Sequence, residues 1–392
     1  MNKLPDGWKI KKLKDICTIQ DGIHKTPKYT SKGIKFVSVE NINDLYNSNK
    51  FISEEDYNKM YKIKAKKNDI FMTRIGDIGT PAILNKDEKL AYYVTLCLFT
   101  NIDEEVFNKY LYYAIQSNYF KKELYHRTLH VAFPKKINLG DIGDCKFILP
   151  TLDEQKRIAS ALSKIDAYLE NTIKLIEEKE RFKRGIAKKL LTCKEGENIP
   201  EARFKGFEGE WETKTLENIC KNIKTGKLNA NAMEKDGQYR FYTCAKDYYK
   251  INTYAFDGEA ILISGNGAHV GYVHYYNGKF NAYQRTYVLM DFTENILFIK
   301  YYLDIHLKHK INIENNKGNI PYIVLNTIKD MEIKFPSLEE QEKIGGYLSL
   351  LDEEIDNLKK QKELIKEMKR GAMQKLLSGE VRLSKNAFNE NI

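Results

Sequence analysis

The sequence predicts an α+β protein: two globular units of mixed α/β structure, separated by an intramolecular antiparallel coiled coil of two long helices, with pseudo-two-fold symmetry. Three observations predict this fold class. The chain has 392 residues, more than one ordinary domain holds. A segment in the middle of the chain recurs near its end with helical spacing, and a shorter segment opens each half.

The longer repeat comprises residues 149–192 and 335–378, which align without a gap at an offset of 186 residues. About 17 of the 44 aligned positions are identical. The identical pairs include Pro150/Pro336, Glu154/Glu340, Gln155/Gln341, Asp166/Asp352 and the Lys-Arg-Gly runs at 183–185 and 369–371. A match of this length indicates that one structural unit occurs twice.

Each repeated segment is predicted to be one long helix. It opens with a capping box, Thr151 to Glu154 in the first copy and Ser337 to Glu340 in the second, directly after a proline. A stripe of mainly apolar residues then follows with alternating spacings of four and three. Its positions are Ile158, Leu162, Ile165, Leu169, Thr172 and Ile176 in one copy, and Ile344, Leu348, Leu351, Ile355, Leu358, Lys362 and Ile365 in the other. A narrow stripe of this kind must be buried against a partner helix, and two equivalent copies pair best antiparallel.

The shorter repeat places a tryptophan at the start of each globular unit. Residues 8–17 resemble residues 211–220, and Trp8 and Trp211 are the only tryptophans. Between the repeated ends the two units differ greatly. Predicted strands are Lys35–Val39, Asp69–Arg74 and Ala260–Ser264, and predicted helices are Glu104–Tyr119 and Asn295–Lys308. One frame holding two dissimilar inserts suggests one task performed on two different targets.

The composition favours a polyanionic partner and a location in the cytoplasm. The formal net charge is +10, which suits nucleic acid. No apolar run approaches the roughly 18 residues of a membrane span, and the first ten residues lack a signal-peptide pattern. The six cysteines show no zinc-site spacing, so we expect reduced thiols and no metal site.

Motifs of catalysis are missing or incomplete. There is no Pro-Pro pair for an amino-methyltransferase loop and no phosphate-binding lysine loop. Glu-x-Lys occurs at 212–214 and 332–334 without a suitably placed Pro-Asp, and the glycines of 265–271 lack the dinucleotide-binding spacing. We therefore expect no catalytic site. Two alternatives remain open: a nuclease or methyltransferase with a diverged site, and a coiled-coil scaffold without a DNA role.

The motifs together resemble the specificity subunit of Type I restriction-modification systems. The resemblance rests on the Pro-[Thr/Ser]-Leu-[Asp/Glu]-Glu-Gln helix starts, the Lys-Arg-Gly…Lys-Leu-Leu helix ends and the tryptophan at each unit start, and it covers about residues 4–383. It implies that each globular unit is a target-recognition domain that reads one half of a bipartite double-stranded DNA site. It also implies that the helices set the spacer between the half-sites and dock two methyltransferase subunits, which bind S-adenosylmethionine. Motor-nuclease subunits complete such complexes, and the specificity subunit needs no cofactor of its own.

On this interpretation the chain divides into five segments. They are target-recognition domain 1 (1–148), the central spacer helix and linker (149–200), target-recognition domain 2 (201–334), the distal spacer helix (335–380) and a tail (381–392). A specificity subunit of a Type IIB-like system, with a fused methyltransferase-nuclease, is the narrower alternative.

The family motifs do not identify base contacts, because the reading loops vary. We expect DNA contacts from Arg, Lys, Asn, Gln, His or Tyr side chains in or near predicted turns. The candidates are Lys25, Lys28, Tyr29, Arg74, Arg127, Lys135 and Lys136 in the first unit, and Lys227, Asn229, Lys246, Asn266, His269, Gln284, Arg285 and Asn319 in the second.

Overall fold

The computed structural model describes residues 4–314 and 322–383, and the chain divides into two compact units. The first unit comprises residues 1–172 and 361–392, and the second comprises residues 173–360. Each unit therefore contains one globular part and one portion of each long helix. Compactness alone does not decide where a recognition domain ends, so the five-segment division stays a prediction.

The described residues of the first unit form nine short strands in three sheets. The strands are β1 (Lys9–Lys12), β2 (Thr18–Asp21), β3 (Ile34–Val37), β4 (Phe51–Ile52), β5 (Ile70–Ile75), β6 (Asp77–Ile83), β7 (Leu90–Tyr92), β8 (Leu96–Thr100) and β9 (Lys146–Leu149). A four-stranded sheet has the order β2-β8-β5-β6, a three-stranded sheet has the order β4-β3-β7, and β1 pairs with β9. The helices are α1 (Glu54–Met60), α2 (Asn108–Ile115), α3 (Asn118–Arg127), α4 (Leu139–Gly143) and the long α5 (Leu152–Leu191).

The described residues of the second unit form one large sheet and one two-stranded ribbon. The strands of this unit are β10 (Glu212–Thr215), β11 (Cys220–Thr225), β12 (Tyr239–Tyr242), β13 (Tyr249–Ile251), β14 (Phe256–Ser264), β15 (Val273–Ala282), β16 (Thr286–Phe292) and β17 (Glu332–Phe335). The large sheet has the order β11-β16-β14-β15-β12-β13, and β10 pairs with β17. The helices are α6 (Leu216–Ile219), α7 (Ile296–Glu314), α8 (Leu325–Lys329) and the long α9 (Leu338–Ser378). The predicted α+β class, with two mixed units and two long helices, is confirmed.

The two repeated sequence segments of each half are neighbours in the structure. Strand β1, directly after Trp8, pairs antiparallel with β9, which leads into α5. Strand β10, directly after Trp211, pairs in the same way with β17, which leads into α9. The repeat therefore encodes one frame: a two-stranded ribbon that joins the start of each globular part to the start of a long helix.

The long helices run antiparallel within each unit. In the first unit, Lys369 of α9 pairs with Asp166 of α5 at 2.5 Å, and Gln361 donates to the Tyr168 hydroxyl. In the second unit, Lys359 pairs with Glu180 at 2.8 Å, and Asp352 pairs with Lys183. In both units, residues with higher numbers on α5 contact residues with lower numbers on α9. The two helices therefore run antiparallel, as predicted.

The predicted apolar stripe is largely buried. Its buried members are Ile158, Leu162, Thr172, Ile176, Ile344, Leu348, Leu351, Ile355 and Ile365. The other four, Ile165, Leu169, Leu358 and Lys362, are half-buried. Burial of such a stripe is what stabilises long helices in water. In the described part of the chain, no helix is long and apolar enough to cross a membrane.

Two local predictions were wrong. The stretch 104–119 is not one helix, because Ser117 accepts a hydrogen bond from the Phe120 N–H at 3.1 Å and so caps a new helix, α3. The capping box of α5 is also replaced. There the Thr151 hydroxyl donates to the Glu154 carboxylate, which also accepts from Trp8 Nε1 and Arg382. In a capping box the Glu154 carboxylate would accept from the backbone N–H of Thr151. Here the carboxylate binds these long-range partners instead.

Candidate nucleic-acid interface

Five loops of the first unit meet around the turn 93–95. The backbone N–H of Arg74 donates to the Thr95 carbonyl, and that of Val94 donates to the Ile23 carbonyl. The Thr95 hydroxyl accepts from the backbone of Val39 at 3.1 Å. We call residues 22–30, 38–41, 74–79, 93–95 and 129–137 the first loop cluster. Backbone hydrogen bonds hold its base.

Most of the first-unit candidates lie on the surface of this cluster. Lys25, Lys28 and Tyr29 are exposed on the loop after β2, and Lys135 and Lys136 are exposed on the loop before α4. All five can reach a partner from solvent, so the candidate assignment of these residues stays a prediction.

Arg74 differs from the expectation that its side chain points outward from a turn. It lies in β5 and is only 7% exposed. Its Nη1 donates to Asp21 Oδ2 and to the Val94 carbonyl, each at 3.1 Å, and its Nε donates to the Ile137 carbonyl at 3.2 Å. A guanidinium committed to three internal acceptors positions the loops and has little reach toward a base.

Arg127 ends α3 and is also engaged. Its guanidinium pairs with the Glu123 carboxylate at 3.0 Å, one helical turn earlier, and its side chain keeps 27% of its surface exposed. A partly exposed i,i+4 pair is weak, so DNA phosphates could compete for this side chain. That role stays a prediction.

The first cluster also carries apolar side chains that a search for polar base-readers passes over. Val131 and Phe133 lie between Leu129 and Lys136, and these residues are 99% and 104% exposed. The sequence signal here is a short apolar run, Val131 to Phe133, beside two lysines. Apolar runs ordinarily predict burial, so this pattern did not indicate the exposed side chains that the structure shows.

The loops of the second unit meet around the turn 283–285. The Gln284 N–H donates to the Leu228 carbonyl, and the Tyr283 N–H donates to the Tyr242 carbonyl. The Arg285 carbonyl accepts from the Gly265 N–H at 2.8 Å. We call residues 226–229, 243–247, 265–272, 283–285 and 322–324 the second loop cluster.

The second cluster brings seven of the eight second-unit candidates into one set of loops: Lys227, Asn229, Lys246, Asn266, His269, Gln284 and Arg285. The eighth, Asn319, lies outside the described residues. Gln284 Nε2 donates to Asn229 Oδ1 at 3.1 Å, which places two amide side chains together on the surface. Amides read adenine by paired hydrogen bonds, so this contact suits a base-reading surface.

His274 supports the second cluster from beneath. Its Nε2 donates to the Ala245 carbonyl at 2.9 Å, and its ring packs 5.1 Å from that of Tyr242 and 4.7 Å from that of Tyr272. Burial lowers the pKa of His274 below its ordinary value, against the raising effect of the hydrogen bond to Ala245. The neutral ring therefore holds loop 243–247 in place.

The two clusters share one backbone arrangement at their bases. The Ile137 N–H donates to the Arg74 carbonyl at 3.1 Å, and the Ile323 N–H donates to the Gly265 carbonyl at 2.8 Å. Arg74 and Gly265 thus hold equivalent places, as do Ile137 and Ile323. The side chains at these places differ, since Gly265 has no room for one: a Cβ there would lie 2.3 Å from the Arg285 carbonyl oxygen.

Each globular part contacts the helices through a matching set of side chains. The Tyr113 hydroxyl donates to Asp166 Oδ2 at 2.7 Å in the first unit, and the Tyr301 hydroxyl donates to Asp352 Oδ2 at 2.7 Å in the second. Burial would raise the pKa of Asp352, but hydrogen bonds from Lys183 and Tyr301 hold it below its ordinary value.

The Glu-Gln motif makes matching contacts as well. Gln155 accepts from the Phe107 N–H at 2.7 Å, and Gln341 accepts from the Asn295 N–H at 3.0 Å. Each also donates to the carbonyl of the proline five residues earlier, at 3.0 Å. Both glutamines are almost fully buried. They fix each globular part on the first turn of its long helix.

Comparison with protein families gives one matching description. The family model described as type I restriction modification DNA specificity domain matches residues 5–178 and 208–367. Each match contains one loop cluster and much of one long helix.

Two named proteins illustrate the sequence similarity. The chain is 37% identical over 187 residues to the type I restriction enzyme EcoDI specificity subunit of Escherichia coli, covering 46% of this chain but only 41% of that protein. It is 27% identical over 420 residues to a Methanocaldococcus jannaschii protein provisionally named type I restriction enzyme MjaX specificity subunit. That alignment covers 98% of this chain and 96% of the relative.

Solved structures show the same fold. The crystal structure of a type I restriction-modification S subunit from M. genitalium superposes with a TM-score of 0.63 at 19% identity, covering 96% of this chain and 97% of that one. A chain from a study of complex assembly and conformational transition of the type I R-M system gives a TM-score of 0.57 at 16% identity, with coverages of 97% and 100%.

Proposed function

Because this chain belongs to the family of type I restriction modification DNA specificity proteins, we propose that it supplies the sequence specificity of a type I restriction-modification complex. Each loop cluster reads one half of a bipartite site on double-stranded DNA. Helices α5 and α9 set the unread spacer and dock two methyltransferase subunits. The named relatives favour this system over a Type IIB-like one or a diverged enzyme.

One observation carries the proposal: the same frame occurs twice and bears two different sets of cationic and amide side chains. Among the exposed candidates, those of the first cluster are mainly lysines, whereas the second adds Asn229, Gln284 and Arg285. Lysines contact phosphates and guanine, arginine reads guanine, and Asn and Gln read adenine by paired hydrogen bonds. Two unlike surfaces on one frame suit two unlike half-sites.

The chemistry belongs to the partners in this proposal. The methyltransferase subunits bind S-adenosylmethionine and modify adenine, and motor-nuclease subunits add cleavage. The chain needs no cofactor and acts in the cytoplasm, where cellular DNA lies. Purified alone and incubated with DNA, Mg²⁺ and S-adenosylmethionine, it should neither methylate nor cleave, and either activity would contradict the assignment.

The decisive experiment maps methylated adenines across the genome with and without this chain. A bipartite motif should disappear when the gene is deleted and return with the wild-type chain. The double variant Lys25→Ala/Lys28→Ala should weaken methylation by loosening the first half-site only, and Lys227→Ala/Lys246→Ala should do so for the second only.

A matched control removes the same charge elsewhere. Lys59 and Lys62 are exposed on α1 and directly after it, outside the first loop cluster. Replacing both by alanine should leave the methylated motif unchanged. If both half-sites respond alike to every double variant, the assignment of one half-site to each cluster is wrong.

A further inference from the structure

We infer that the apolar tip of the first loop cluster, Val131 and Phe133, contacts the bases of the first half-site through the methyl groups of thymine. The inference rests on the proposed function and adds an apolar reader to a surface so far described by its polar groups. Among the unmodified DNA bases only thymine presents a methyl group in the major groove, where apolar side chains recognise it.

The exposure of this tip is unusual. Val131 and Phe133 are 99% and 104% exposed, whereas the next most exposed large apolar side chain in the described ranges, Ile313, is 72% exposed. Large apolar side chains that project fully into water gain free energy when a partner covers them. Neither side chain supports the fold of the unit, so both are available to a partner.

The base of the loop is anchored. The Leu129 N–H donates to the Lys136 carbonyl at 2.8 Å and closes the loop, and the Gly76 N–H donates to the Lys135 carbonyl at 2.8 Å. The next residue, Ile137, is fully buried and accepts from Arg74. The tip is therefore presented from a fixed base within the first loop cluster, which limits the entropy lost on binding.

The charge around the tip favours DNA over a protein partner. His130, Lys135 and Lys136 are all exposed beside Val131 and Phe133. Phosphates flank every base of a duplex, so two lysines directly after an apolar tip match the proximity of charged and apolar surface in a groove. The cores of protein interfaces are instead depleted of lysine.

The experiment uses the chain in complex with its methyltransferase partner and a duplex carrying the mapped target. Dissociation constants are measured over a range of salt concentrations for wild type, Phe133→Ala and Lys135→Ala. Phe133→Ala should weaken binding about tenfold, within the range of a good base contact, and leave the salt dependence unchanged. Lys135→Ala should instead lower the slope of log K against log salt by about one.

A second arm tests the chemical group. Replacing each thymine of the first half-site by uracil removes only the methyl group. One of these replacements should weaken the wild-type complex and have no further effect on Phe133→Ala. As a matched control, Met60→Ala removes an exposed apolar side chain from α1 and should change neither affinity nor salt dependence.

The contradicting outcomes are distinct. Wild-type affinity for Phe133→Ala, or a wild-type complex that is insensitive to every uracil replacement, overturns the inference and leaves the proposed function intact. Loss of the methyltransferase subunit from Phe133→Ala, with unchanged DNA affinity of the remaining complex, assigns the tip to a protein surface and also overturns it. A wild-type complex without sequence selectivity would instead refute the proposed function.

Discussion

In the first unit the Ile137 carbonyl accepts a hydrogen bond from the Arg74 guanidinium at 3.2 Å. In the second unit the equivalent carbonyl, that of Ile323, accepts from the Tyr287 hydroxyl at 2.8 Å. The donor comes from a different strand in each case, β5 in one and β16 in the other. In both units the equivalent backbone carbonyl therefore accepts a side-chain hydrogen bond, but the donor is an arginine in one unit and a tyrosine in the other.

The difference extends to the neighbouring loops. Arg74 also binds Asp21 and Val94 and so joins three loops of the first cluster. At its place in the second unit, Gly265 lets the backbone of Arg285 approach closely, and the Arg285 side chain faces solvent. Both units share the backbone arrangement, but the first buries an arginine that supports its loops, whereas the second exposes an arginine to solvent.

The largest effect is expected from Arg74→Ala. The substitution leaves the Asp21 carboxylate, 17% exposed, without its guanidinium partner and two carbonyls without a donor. The cost should be about 3 kcal/mol. Hydrogen exchange should increase in the first loop cluster and not in the second, and methylation mapping should show a relaxed first half-site. Arg127→Ala is the control for the stability measurement alone and should cost only about 0.5 kcal/mol. An Arg74→Ala chain as stable as wild type would mean that Arg74 does not support the loops.

The next effect is expected from Gly265→Ala. The new Cβ would lie 2.3 Å from the Arg285 carbonyl oxygen and 3.1 Å from the Tyr287 ring, so the backbone of the turn 283–285 must move. We expect about 2 kcal/mol of destabilisation and a weakened second half-site, measured by hydrogen exchange and methylation mapping. Gly346→Ala in α9 is the matched control, since a Cβ there meets nothing within 4 Å and alanine favours a helix. A neutral Gly265→Ala would show that the second cluster tolerates side chains at this place as the first does.

A smaller effect is expected from Tyr287→Phe, which removes one hydroxyl and keeps the ring. The Ile323 carbonyl then loses its side-chain donor, which should cost about 1 kcal/mol. Exchange should increase at residues 322–324 with little change elsewhere in the unit. If the first half-site also loosened, the support of the two clusters would not be independent.

The repeat made much of the frame predictable. Asp166/Asp352 and Gln155/Gln341 were identical pairs in the sequence, and in the structure each pair makes the same contacts in both units. Identical polar residues at equivalent positions of the repeat indicate the same surroundings in both copies, because a buried polar side chain needs the same hydrogen-bond partners in each.

The bases of the loop clusters were not predictable in this way. The burial of Arg74 depends on Asp21 and Ile137, which lie 53 and 63 residues away along the chain. No local pattern encodes such a contact, and the second unit achieves it with Tyr287. Turn-forming residues did locate most of the loops, so the exposed lysines and amides were found, whereas Val131 and Phe133 were missed because apolar residues ordinarily predict burial.

The smallest expected effect is a difference between the two units in how their stability depends on pH, and it can be measured on the wild-type chain. The second unit contains His274 and His306, whose rings donate to backbone carbonyls at 2.9 and 2.8 Å. Burial lowers the pKa of both below the ordinary value. The unfolded chain then takes up protons before the folded unit does, so stability is full above the ordinary histidine pKa of about 6.5 and falls as pH decreases below it.

Hydrogen exchange at pH 7.5 and 5.5, corrected for intrinsic rates, should therefore show a loss of protection in the second unit that exceeds any loss in the first. Replacing His274 and His306 by glutamine should reduce that difference. The same variant separates their effect from that of Asp304, whose pKa is raised by burial despite its ion pair with Lys300 and which acts in the opposite direction. Equal loss of protection in both units, or a difference that persists in the double variant, would show that these histidines do not distinguish the two units.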